Sequence, residues 1–203
     1  MRAAVDLFGT KGFHEASVQE IVARAGLTKG AFYHHFESKE DVLHVIHDEF
    51  IDEHLERQER ITKRFTRAHE QLFHLVRTLV YIVADHRPEV QIFYREQRAL
   101  GVSQFAESYD KRDRAERIYV DTIALGVERG EFRPDLDAKL SALAILGMGN
   151  WTHLWFHADG RVSADEVALA FATQALLGVT ARPRTVRTLV AKPIPKPDPA
   201  RTR

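Results

Sequence analysis

Lys29, Tyr33, His34 and Lys39 gather hydrogen-bond donors into one short stretch, and such donors are what phosphate oxygens and base edges accept from. A second set lies further along the chain. Phe93, Tyr94, Arg95, Arg98, Arg133, Asn150, Trp151, His153 and Trp155 place aromatic surface beside cationic and polar groups. That mixture suits an elongated, mostly apolar ligand with one polar or anionic end. A third set, His44, His47 and His54 with Asp48 and Glu49 nearby, has imidazoles at helical spacing. It has neither the HExxH arrangement nor a third ligand from another segment, so no metal centre is expected. No nucleophile elbow, glycine-rich phosphate loop or paired carboxylate on a strand end is present, so no catalytic residues are assigned and an enzyme is not expected.

The donors of the first set sit in residues 17–36, SVQEIVARAGLTKGAFYHHF, which predict two short helices with a glycine at the bend. Ser17 is placed to cap the first, and Glu20 three residues on completes a capping box. Its inward face is Val18, Ile21, Val22 and Ala25. Gly26 can take the left-handed conformation that ends a helix and begins a sharp turn. Thr28 then caps a second helix over Lys29–Phe36, with Ala31, Phe32 and Phe36 inward and Lys29, Gly30, Tyr33, His34 and His35 toward solvent. This is a helix–turn–helix whose second helix fits the major groove. Its N-terminal residues would meet base edges, while Tyr33, His34 and Lys39 would donate to phosphates, and the expected DNA contacts are Ser17, Thr28, Lys29, Gly30, Tyr33, His34 and Lys39.

Beyond residue 45 the pattern stays helical, and the predicted class is all-α. A long helix over 39–64 joins head to body. Further helices are predicted over 67–85, 89–100 (kinked) and 103–129, then a turn over 130–137 with Asp137 as the next cap. Leu140–Phe156 is apolar almost all round and Ala164–Leu177 is rich in small residues, so this last pair is expected to be covered by the same pair of a second subunit. The expected organisation is a helix–turn–helix domain over 1–45, a ligand-binding and dimerisation domain over 46–180, and a disordered basic, proline-rich tail over 181–203.

Composition sets limits without identifying a function. The 203 residues carry a formal net charge of zero, and residues 1–50 hold more acidic than basic side chains. DNA affinity must therefore come from local placement of Lys29 and Lys39, with Asp41, Asp48 and Glu49 turned away. There is no cysteine, which leaves no disulfide or thiolate metal site. No apolar run is long enough for a membrane span, so a cytoplasmic protein is expected.

The motifs are more specific than a generic helix–turn–helix. Leu7-Phe8 and Lys11-Gly12-Phe13, Thr28-Lys29-Gly30 and Tyr33-His34-His35-Phe36, and Ser38-Lys39-Glu40 resemble the DNA-binding domain of the TetR family of transcriptional regulators. The match spans about the first quarter of the chain. It implies an all-helical homodimer on near-palindromic operator double-stranded DNA, most often a repressor, with a ligand in the body changing the separation of the two recognition helices. Gln91–Leu100 (QIFYREQRAL), Gly130–Asp137 (GEFRPDLD) and Trp151–Phe156 (WTHLWF) further resemble a subgroup that responds to acyl-CoA thioesters and controls fatty-acid or sterol-fragment catabolism. That resemblance implies an acyl chain in the apolar body, with Arg95, Arg98 and Arg133 holding the phosphates. A free fatty acid or a hydrophobic drug-like molecule fits the same lining, with Arg98 or His153 as its anchor. No cofactor is expected apart from such a small hydrophobic effector. The other class these residues permit is a helical small-molecule-binding or partner-binding protein without regulatory DNA binding.

Overall fold

The computed structural model describes residues 1–96 and 106–180, and the regular elements among them are α-helices. The head consists of α1 (Arg2–Lys11), α2 (Val18–Ala25) and α3 (Lys29–His35). The predicted capping box is formed: Ser17 Oγ accepts from the Glu20 N–H at 3.2 Å, and the Glu20 carboxylate accepts from the Ser17 N–H at 2.9 Å. Gly26 then takes φ 67°, the left-handed turn that ends α2. Ile21, Val22 and Phe32 are buried and Val18 is half-buried. Ala25, expected inward, is exposed, because it is the last helical residue before the chain turns away.

Helix α4 (Lys39–Arg64) starts where Ser38 accepts from the Asp41 N–H at 3.0 Å, and its 26 residues span about 39 Å. Its charged second half carries the i,i+4 pairs Arg57–Glu53, Arg60–Glu56 and Lys63–Glu59. The opposite side is buried, and it packs on α5, α6 and α7.

The body comprises α5 (Ala68–Asp85), α6 (Arg87–Glu96), α7 (Ala106–Glu128), α8 (Ala138–Asn150), α9 (Thr152–Trp155) and α10 (Ala164–Val179). Helix α5 is the centre, packed against α4, α7, α8 and α10. Two departures from the expected boundaries have a visible cause. Helix α6 begins at Arg87, two residues early, because Pro88 is tolerated in a first turn, where its missing N–H leaves no bond unmade. The helix expected over 140–156 is broken at Trp151 into α8 and the single turn α9. At the break His153 Nδ1 lies 2.6 Å from Asn150 O, and beyond it Arg87 and Gln91 donate to His153 O at 3.0 and 2.8 Å, where α9 ends. Gly147 and Gly149 also weaken the helix just before the break.

Asp137 caps α8 as expected, accepting from the Leu140 N–H at 2.8 Å. One hydrophobic core runs from Phe8, Phe13 and Phe32 in the head through Leu43 and Ile46 of α4 to Ile82, Val90 and Phe93 in the body. A second is built by α5, α7, α8 and α10 around Tyr119, whose hydroxyl donates to Leu75 O at 2.8 Å. No helix among the described residues is long and apolar enough to cross a membrane. The tail expected over 181–203 lies outside the described residues.

Candidate nucleic-acid interface and ligand cavity

Helix α3 is held by one cap and one buried ring. Thr28 Oγ1 accepts from the Ala31 N–H at 3.1 Å, and Phe32 is buried against the head core. The rest of the helix faces outward: Lys29, Gly30, His34 and His35 are exposed, as is Tyr33 at 55 %. This gives α3 a solvent-facing row of donors with no acidic side chain in it.

Two expected DNA contacts have structural duties instead. Ser17 gives its hydroxyl proton to Glu20 Oε2 at 2.7 Å, so it orients α2 and keeps no donor for a phosphate. The Lys39 ammonium donates to the carbonyls of Phe13, Ala16 and His14 at 2.7, 2.9 and 3.3 Å and sits 4.4 Å above the Phe13 ring. All three of its protons are used in closing the loop between α1 and α2. Two of the head's other cations are also paired, Lys11 with Glu20 and Arg24 with Asp6.

Inside the body, α4 to α8 line a partly open cavity of about 440 Å³. Helix α4 contributes His47, Phe50, Ile51 and His54, and α5 contributes Leu79, Ile82 and Val83. Phe93 and Tyr94 come from α6, Arg112, Asp113 and Glu116 from α7, and Leu143, Leu146 and Asn150 from α8. The walls are more apolar than polar, with the polar groups on α4, α7, the end of α8 and the Tyr94 hydroxyl of α6. The Phe93 ring is flanked by His47, stacked at 4.1 Å, and by the Arg112 guanidinium, 4.9 Å from its centroid. Burial pushes both His47 and His54 down to about 4, so each ring is neutral at pH 7, although Asp48 pulls His47 partly back. Burial also raises the Tyr94 hydroxyl.

Phe93, Tyr94 and Asn150 therefore line the cavity as expected, and His153 buttresses it by stacking on Tyr94 at 4.7 Å. Trp151 and Trp155 do not line it: they lie outside, and Trp151 is 62 % exposed, because the break after Asn150 turns the chain outward. The three arginines expected to hold an anion are not brought together. Arg95 reaches back to the head, donating to Phe8 O and, through Nε, to Glu96 at 2.8 Å. Arg133 sits at the turn before α8, on Gly178 O at 2.9 Å and Asp135 at 3.4 Å. Arg98 lies outside the described residues. Arg112, His47 and His54 take the polar positions instead. Arg112 is hidden in the charged run 110–117 (DKRDRAER), which reads as a solvated face. His47 and His54 drew notice only as metal candidates, and no group of three ligating side chains forms among the described residues.

Comparison with known proteins adds an independent line. Residues 1–46 match the model for bacterial regulatory proteins of the tetR family, and residues 65–179 match a tetracyclin repressor-like C-terminal domain. The HTH-type transcriptional repressor KstR2 of Mycobacterium tuberculosis is 28% identical over 182 residues, spanning 89% of this chain and 90% of its own. The solved structure of PfmR, a TetR family regulator from Thermus thermophilus, is 30% identical with a TM-score of 0.80, covering 86% and 95% of the two chains. AibR, solved in complex with isovaleryl coenzyme A and operator DNA, is 26% identical with a TM-score of 0.75 over 85% and 93%.

Proposed function

The chain belongs to the TetR family of bacterial transcriptional regulators, and from that premise we propose a repressor that leaves a near-palindromic operator when a hydrophobic effector fills the α4–α8 cavity. Regulators of this family bind operator DNA and dimerise. The observation that carries the effector reading is that α4 forms both a cavity wall and the support of the head. An effector that fits one disposition of α4 better than another shifts the head positions, and only such differential affinity can move the equilibrium. Arg95, joining α6 to the last turn of α1, is a second link between cavity and head.

In the dimer, α8 and α10 meet the same helices of the second subunit, which covers Leu140, Leu143 and Leu177. The two α3 helices then lie one DNA turn apart, roughly 34–36 Å. Lys29, Gly30, Tyr33, His34 and Thr28 form the reading surface. The effector is an acyl group, carried as a CoA thioester or as a free fatty acid. The apolar walls and the coenzyme A ester in the AibR structure support this choice. An operator selected from random duplex DNA tests the reading. Lys29→Ala with Tyr33→Phe should weaken operator binding at least tenfold and reduce the salt slope by about one, with the melting temperature unchanged. Dodecanoyl-CoA or dodecanoic acid, but not CoA alone, should raise the melting temperature and release the operator. Unchanged operator affinity in the double variant would contradict the reading surface.

A further inference from the structure

His47 and His54 lie seven residues apart on α4, two turns along one face, and both line the cavity. Among the described residues neither Nε2 atom has a hydrogen-bond partner, although both side chains are buried. Two polar atoms withdrawn from water without a partner, on one wall of one cavity, are what a ligand's own polar group would satisfy.

The tautomer of His47 is set from behind. Its Nδ1 lies 3.3 Å from Asp48 Oδ1, while the other Asp48 oxygen accepts from Lys111 at 2.8 Å. A carboxylate in an ion pair only accepts, so Nδ1 carries the imidazole proton. The ring is neutral at pH 7 and has no second proton, which leaves Nε2 as a lone-pair acceptor. A carboxylate or phosphate presents only lone pairs of its own and is the wrong partner for it. An anionic end belongs instead with Arg112, whose guanidinium lies 4.9 Å from the centroid of the Phe93 ring.

We propose that the cavity selects an apolar molecule bearing a hydroxyl group on its hydrocarbon part, with the hydroxyl donating to His47 Nε2 and a second polar group meeting His54 Nε2. This rests on the effector reading above and narrows it from any acyl chain to a hydroxylated one. A hydroxyl is the smallest group that donates to His47 Nε2, and His54 Nε2, two turns or about 10.5 Å along α4, meets a second polar group of the ligand rather than the same hydroxyl.

The test is calorimetric binding of dodecanoic acid and its 3-hydroxy, 8-hydroxy and 12-hydroxy derivatives, each also as the CoA thioester, to the full chain. At least one hydroxylated member should bind about tenfold tighter than its unsubstituted parent. His47→Phe should bring that pair to parity, judged by the ratio of the two affinities within the variant, and His54→Phe should leave that ratio in place. Equal affinity across the series in the unsubstituted protein overturns the proposal while leaving the acyl-effector reading intact. A preference that survives His47→Phe overturns it too. Binding of no member at all overturns this proposal and the acyl-effector reading together.

Discussion

Three histidines are held neutral by the fold. His47, His54 and His74 are each pushed down to about 4, chiefly by burial, with Arg77 and Arg64 adding to the effect at His74, which also stacks on Phe65 at 4.2 Å. In the unfolded chain these rings titrate near 6.5. Between those values the unfolded state binds protons that the folded state refuses, so stability is full above about pH 6.5 and falls as the pH drops toward 4. Going from pH 7.5 to 5 should cost about 2 kcal/mol for each of the two most buried rings, His47 and His54. Glu20, Glu53, Glu131 and Glu166 have lowered values and lose their contribution only below about 4.5, while Asp85, raised by burial, acts in the opposite sense, so a loss of stability in this window reports the histidines. Urea unfolding at the two pH values measures it, and equal midpoints would mean that the folded rings take up protons freely. The sequence displayed the histidines but not their surroundings. Spacing on α4 says they share a face; only the packing of α5, α6 and α7 over that face removes their water. Lys39 teaches the same lesson in reverse: a lysine opening a helix reads as a phosphate donor until three carbonyls from a distant loop claim it.

Caps and turns are local, which is why the starts of α2, α3, α4 and α8 were legible from Ser17, Thr28, Ser38 and Asp137. The end of α9 after Trp155 was not, because Arg87 and Gln91 reach from α6 to the His153 carbonyl that a further turn would need. Gly126 was equally silent, a glycine inside the apolar run of α7 with no turn beside it. Its role comes from the loop that follows. Gly130, at φ 68°, reverses the chain, Phe132 N–H returns to Gly126 O at 2.9 Å, and Arg133 N–H donates to Val179 O at 2.9 Å. The buried Phe132 ring thereby lies against Gly126, where a methyl group would overlap it. Gly126→Ala should destabilise the protein by about 1–3 kcal/mol, as overpacking does. Gly9→Ala, in a helix with open space around it, should be neutral or stabilising by up to about 1 kcal/mol. Thermal melts of the pair decide the matter, and a Gly126→Ala protein as stable as its parent would show that Phe132 is free to move.

At the scale of the molecule, the head and body share one core, so a change in the disposition of α4 or α6 cannot leave α1 and α3 where they were. That continuity was not legible, since the sequence suggested a boundary near residue 45 and the apolar residues on either side of it carry no sign that they pack together. The proposed dimer surface was half legible. Apolar runs in the last two helices announced that they need cover, yet much of their surface is covered within the monomer by α5 and α7, and what remains is a narrower face. Leu140 at 65 % exposed and Leu177 at 53 % belong to that face and to neither core cluster. Leu140→Glu with Leu177→Glu should therefore leave the monomer folded while placing like charges across a two-fold interface, where each is repeated. Light scattering after size exclusion should give the 23.2 kDa monomer mass with unchanged helical circular dichroism. Operator affinity should fall about a hundredfold or more, because a single head forfeits the second half-site that the dimer holds at high effective concentration. A dimer that persists with both charges in place would move the interface away from α8 and α10, and with it the geometry by which the cavity sets the spacing of the heads.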